Sequence, residues 1–232
     1  MTPVPVEEIE ERLARLRGAS GNGAASVAPE ADDLDWFLFH SFPGCDVEPA
    51  QLAALLPVYE RALATSAAFD FELLFVRVLE LRDAIAPDAR EGIARAAARR
   101  VLAGGFDPAD AIAAIRFAAR ALADVDAFLD RLLADEACAS LRFQLSVDFV
   151  LDERELADYL ALSYLREGDP DASPLLAAFP VAKGAEARLA RFFDQAACRR
   201  RIEEGWSRFC EPAERAMLLQ ALQSKFPGFC PP

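Results

Sequence analysis

Apolar residues recur along this chain at helical spacing. In residues 6–17, Ile9, Leu13 and Leu16 share one face, with glutamates in the first turn and arginines in the last, an order that complements the helix dipole. Pro49 opens a second amphipathic run whose stripe is Leu52, Leu55, Leu56, Tyr59 and Leu63. Residues 69–85 are apolar nearly all round, as a central core helix is. Pro87 starts a more exposed, arginine-bearing helix to Leu102, stopped by Gly104-Gly105. Asp107-Pro108 begins a pattern running through Ile112, Ile115, Leu122, Phe128 and Leu132, with a break near Asp124. Asp152 and Glu155 form a capping-box start for a helix to Leu165, and further helices are predicted over 185–209 and 212–224.

Two segments are ambiguous. Leu34 to Phe42 is aromatic-rich and fits a short buried helix or a strand. Residues 141–149 alternate, with Leu141, Phe143, Leu145, Val147 and Phe149 against Arg142, Gln144, Ser146 and Asp148, which is the period of a half-buried strand. A lone strand leaves backbone groups unpaired, and only 36–42 and 69–75 offer a neighbour, so a helix stays open there. The predicted class is mainly α: an irregular bundle of about nine helices, with a minor β element near 141–149 if the alternation is a strand. Residues 1–31 read as a helical arm and a flexible Gly/Ala/Ser linker, and 32–232 as one helical domain with a point of subdivision near 168–184. The proline-capped helix starts have no fixed period, so no repeat array is expected.

Charge narrows the function. The chain of 232 residues has 38 acids, 25 bases and a formal net charge of −13. This opposes nucleic acid or an anionic membrane as main partner and favours a basic protein or peptide. The charge is segregated. Residues 1–60 hold eleven acids and three bases, 148–171 hold eight acids and two bases, and 183–208 reverse the sign with Lys183 and six arginines against four acids. Cysteines at 45, 138, 198, 210 and 230 form no CxxC, and His40 is the only histidine, so no metal spacing and no cofactor is expected. With no signal-peptide pattern, a reduced cytoplasmic compartment is the expectation.

Few side chains carry chemistry. Gly18, Gly21 and Gly23 lack the strand and helix of a phosphate loop and read as linker. His40 with Cys45, or Cys198 beside the arginines, is what an enzyme would have to use, yet no orienting group accompanies either. Asp152, Glu155 and Asp158 lack a calcium loop and read as a solvated face. The binding candidates are three. Asp33 and Asp35 (after Asp32) with Trp36 offer carboxylates and an indole to a cationic partner. Arg199, Arg200 and Arg201 offer a grip for a phosphate or acidic peptide, and fan over about 200° of a helix so that at most two serve one ligand. Phe226 and Phe229 form an apolar tail that either docks into another chain or folds back on its own bundle.

Two segments, Ala68-Phe69-Asp70-Phe71 leading into an apolar helix and Ala196-Ala197-Cys198-Arg199-Arg200-Arg201, resemble the partner subunits of multinuclear iron enzymes that modify ribosomal peptides, of the methanobactin synthase small-subunit type. The resemblance implies a non-catalytic subunit that binds an iron-bearing oxidase and helps present a precursor peptide, with the metal in the other chain; it assigns no functional residue. The leading expectation is thus a helical accessory subunit. The alternatives are an immunity protein that neutralises a basic toxin and, from a different class, a small enzyme using His40 or Cys198.

Overall fold

A computed structural model of the protein describes residues 5–18, 31–41, 47–65, 69–152, 156–160 and 183–231. The expected linker at Gly21 and Gly23, the Cys45 partner for His40, Ala68, Glu155 and the subdivision near 168–184 lie outside these residues. Within them the regular structure is helical throughout, the mainly α class that the apolar spacing implies.

The chain order is α1 (Val6–Gly18), α2 (Ala31–His40), α3 (Pro49–Thr65), α4 (Phe71–Glu80), α5 (Pro87–Leu102), α6 (Pro108–Ala121), α7 (Val125–Ala134), α8 (Ala139–Leu151), α9 (Leu156–Tyr159), α10 (Lys183–Phe192), α11 (Gln195–Phe209) and α12 (Arg215–Lys225), with a single 3₁₀ turn before α8. These exceed the nine expected, because the long 185–209 pattern is two helices and the two ambiguous segments, α2 and α8, are both helical. Asp194 interrupts it, its carboxylate accepting from the Ala197 amide at 3.0 Å to start α11. The same device starts α4, α6 and α7: Asp70, Asp107 and Asp124 accept from Leu73, Asp110 and Ala127. Proline opens α3, α5 and α6. Past α5, Gly104 takes a positive φ of 68°, and the amides of Gly104 and Gly105 return to the carbonyls of Val101 and Arg100. Pro212 does not open α12; it lies in a turn, and the helix begins three residues later.

Residues 141–149 are helical, which corrects the strand expectation. At 100° per residue, the alternating apolar positions fall on two opposite sides of a helix. Leu141, Leu145 and Phe149 make one stripe, and Phe143 with Val147 lies across from it. Both sides are used. Phe149 meets Tyr159 and Phe193 at ring separations of 5.0 Å, while Phe143 lies against α11. Helix α8 is therefore sandwiched, and its own backbone hydrogen bonds remove the need for a neighbouring strand.

In the first half, α3 packs on α5, α5 on α6 and α6 on α4, with Phe75 and Phe117 stacked at 4.7 Å. In the second, α11 and α12 pack on α8, and α10 on α7. Contacts of α6 with α8 and of α5 with α7 join the halves around one continuous core, which includes Ile9, Leu13 and Leu16 of α1. No helix among the described residues is long and apolar enough to cross a membrane.

The α8–α11 seam leaves no room for a side chain at Gly205. A Cβ built on Gly205 would stand 2.7 Å from the Phe143 ring and 3.0 Å from that of Phe209. Gly205→Ala is expected to force the helices apart and cost about 1–3 kcal/mol in urea denaturation. A second prediction concerns α6. Burial, helped by Asp107, raises the Asp110 carboxyl to about 6. The folded chain then holds a proton there that the unfolded chain has lost, so this group lowers stability as pH rises from about 4 to 6. Asp110→Asn should flatten that slope and raise the melting temperature at pH 7.

Candidate functional site

The acidic aromatic segment expected to meet a cationic partner is already occupied from within the chain. The Asp33 carboxylate is buried and accepts from Arg12 at 2.6 Å and from Arg15 at 2.9 and 3.1 Å. The Arg15 hydrogen bond, with the charge of both arginines, holds its pKa below the usual carboxylate value against the opposing effect of burial. Arg12 also lies 4.6 Å over the Trp36 ring. Asp35 accepts from the Asp70 amide at 2.7 Å and so braces the start of α4. The carboxylate-plus-indole chemistry is as the residues suggest, but the cation is α1, which is a docked helix. Asp33→Asn is expected to weaken this seat by about 1–3 kcal/mol. Hydrogen exchange should then quicken in α1 and stay unchanged in α8 and α11.

The C-terminal candidates divide. Phe229 is fully buried, its ring 5.9 Å from Trp206 and 6.3 Å from Phe226, so the tail folds back and Phe229 presents no surface to a partner. Phe226 is half-buried beneath the Arg199 guanidinium at 5.7 Å, and Arg199 also pairs with Glu203 at 2.8 Å. Arg199 thus belongs to the tail. Its two successors turn the other way, as the helical fan requires.

Among the described residues, the enzyme candidates stand at three different helices, α2, α8 and α11. His40 ends α2 with its ring edge-on to Trp36 at 4.2 Å. Cys198 is buried in the α10–α11 corner, where burial pushes its thiol pKa up despite the nearby Arg201. Asp152 caps the end of α8 through its backbone. No cluster of three or more His, Cys, Asp or Glu able to hold a metal is present among the described residues. A buried cluster that sequence reasoning passed over joins Arg77 to Ser41, at 3.0 Å, and to Glu80.

The site that emerges is a cleft of about 630 Å³ between α7, α8, α10 and α11. Arg142, Arg188, Arg191, Arg200 and Arg201 line it, against Asp130 and Glu204. Five guanidinium groups against two carboxylates leave the cleft at +3 on a chain of −13. Three of the five are fixed in place. Arg201 donates to Ser146 Oγ at 2.8 Å and to the Phe192 carbonyl, approaches Cys198 Sγ at 3.2 Å and lies 4.1 Å over the Phe192 ring. Arg142 donates to the carbonyls of Leu132 and Asp135 at the end of α7, at 3.0 and 2.6 Å. Arg188 pairs with Asp126 at 3.3 Å and with Asp130. The other two are exposed: Arg191 bonds only to a carbonyl of its own helix, and Arg200 has no hydrogen-bond or ion-pair partner among the described residues. Burial, with Arg200 and Arg142 close by, lowers the Arg201 pKa. The site therefore combines a rigid cationic wall with two exposed guanidinium groups, which suits carboxylate or phosphate oxygens.

The sign reversal over 183–208 marked this region in the sequence, and Arg200 and Arg201 were candidates. Arg142, Arg188 and Arg191 were not, because only the packing of α7, α8 and α10 brings them beside α11. No protein-family model, curated protein or solved structure matches the chain.

Proposed function

We propose that this protein is a non-catalytic binding partner whose arginine cleft receives an acidic segment of another polypeptide. The carrying observation is the convergence of Arg142, Arg188, Arg191, Arg200 and Arg201 in one cleft of an otherwise acidic chain. Like charges repel when gathered, and a bound anion relieves that repulsion. A long nucleic acid would meet the −13 charge of the chain as a whole, whereas a short acidic segment engages only the local positive field. The cleft volume falls in the range of ligand sites, and it opens to solvent as a groove that a chain segment can enter.

This reading agrees with the expected role of a cytoplasmic accessory subunit that pairs with an iron-dependent peptide-modifying enzyme, the acidic segment then belonging to the precursor peptide. It is favoured over neutralisation of a basic toxin because the acidic seat that such a partner would use is filled by α1. The burial of Cys198, which pushes its thiol pKa up, supports the non-catalytic part of the proposal.

A fluorescently labelled glutamate-rich dodecapeptide should bind, measured by anisotropy, and bind more weakly as salt rises. Arg191→Glu with Arg200→Glu should reduce affinity at least about tenfold while leaving the melting temperature unchanged, since neither side chain is built into the core. Equal binding by this variant, or tighter binding of a lysine-rich peptide, would overturn the proposal.

A further inference from the structure

We infer that the protein has a second docking site, separate from the arginine cleft: a groove between α5 and α7 that takes an apolar side chain flanked by carboxylates, presented by another polypeptide.

The groove is built from one stripe of each helix. On α5, Glu91, Arg95, Ala98, Arg99 and Leu102 recur at the three- and four-residue steps that place side chains on one side of a helix. On α7, the cap Asp124 is followed at the same steps by Ala127, Phe128 and Arg131, and Leu122 joins them from the end of α6. No residue lines both this groove and the arginine cleft, to which α7 contributes Asp130 and Leu133 instead.

The floor is apolar. Ala98 and Phe128 are buried, and Leu102 and Leu122 are half-buried against the core. The rim is cationic. Arg95, Arg99 and Arg131 are all exposed. Arg95 and Arg131 have no hydrogen-bond or ion-pair partner among the described residues. Arg99 meets Glu60 at 3.8 Å in an exposed pair, and such pairs hold little. Of the two acids beside the groove, Asp124 is already engaged, its carboxylate accepting from the Ala127 amide at 3.2 Å. Three guanidinium groups against Glu91 and Asp124 leave the groove at +1 on a chain of −13.

Size and charge select the occupant. The volume of about 250 Å³ falls below the range of sites that enclose a small molecule, and suits one or two side chains anchoring a longer chain. An apolar anchor on this floor gains most when its neighbours are carboxylates, because Arg95 and Arg131 stand exposed above it and a basic flank would meet like charge. The arginine stems extend the apolar wall beneath their charged ends. An apolar anchor ringed by polar contacts is the arrangement that carries most of the binding energy at protein interfaces.

The test uses the full chain and a labelled twelve-residue peptide with one leucine between two glutamates in a glycine–serine frame. Two controls replace the leucine by serine, or the glutamates by lysine. Anisotropy titration should show the leucine–glutamate peptide binding at least about tenfold tighter than the serine control, and the lysine control weaker still. Its methyl NMR titration should move the Ala127 and Leu102 signals. Arg95→Gln with Arg131→Gln should lower its affinity about fivefold. Ala127→Trp, which fills the groove and leaves every arginine in place, should abolish the preference for leucine over serine. All three substituted side chains are exposed, and an unchanged melting temperature confirms folding. Equal binding of the leucine and serine peptides, a leucine preference that survives Ala127→Trp, or methyl shifts confined to the cleft residue Ala197 overturns the inference. So does binding to phosphatidylserine vesicles that requires Arg95 and Arg131 while the peptide fails to bind, which would make the groove a lipid contact. Because the cleft is probed by a glutamate-rich peptide without leucine and by Arg191→Glu with Arg200→Glu, either proposal can fail alone.

Discussion

The close approach of α8 and α11 is the constraint on which the rest of the molecule's chemistry depends. It requires a residue without a side chain at Gly205, because Phe143 occupies the space a Cβ would take. Once the helices are that near, Arg201 reaches across to Ser146 and the Phe192 carbonyl, and its long side chain becomes wall instead of solvent-exposed tether. Arg142, on the α8 side, is fixed by the end of α7 in the same way. Guanidinium groups held by other hydrogen bonds lose little entropy when an anion arrives, which is what preorganisation means for a charged site. Packing two helices tightly is thus also how this chain holds cations beside one another against their repulsion.

The same fold takes up two other sequence-marked charged groups internally. The N-terminal acids and arginines face one another across α1 and α2, and Asp33 is withdrawn from solvent by two guanidinium groups. Arg199 is spent on Glu203 and on the ring of Phe226. What is left unsatisfied is therefore informative. Of the three consecutive arginines, one secures the tail, one is locked into the cleft wall and one projects freely into the cleft. This division follows from the 100° step between successive helical residues. A run that looks uniform in sequence serves three purposes because the helix turns it towards three different neighbours.

Much of the architecture was legible in the residues. Proline located the starts of α3, α5 and α6, with an aspartate cap before it in α6, and glycine after a periodic run located the end of α5, because these residues act through local backbone chemistry. Aspartate caps without a following proline were harder to see, so Asp194 was missed and α10 and α11 were read as one helix. The strand expectation for 141–149 failed for a physical reason. Apolar residues two apart satisfy a half-buried strand, but they equally cover two opposite sides of a helix that is packed on both, and only the neighbours distinguish these cases. Of the candidate site, Arg200 and Arg201 and the local excess of positive charge were visible, whereas Arg142, Arg188 and Arg191 were scattered among unremarkable helices.

The sequence by itself determined the class, the helical periodicity, most of the helix starts and the separation of charge along the chain, since each depends on residues within a turn or two of one another. The tertiary structure decided which charges meet. It turned Asp33 inward onto α1, buried Phe229 against Trp206, and assembled guanidinium groups from α8, α10 and α11 around one cleft. Coulomb interactions act through space, not along the chain, so their outcome depends on the angles and distances at which helices pack, and these are set by side chains far apart in the sequence.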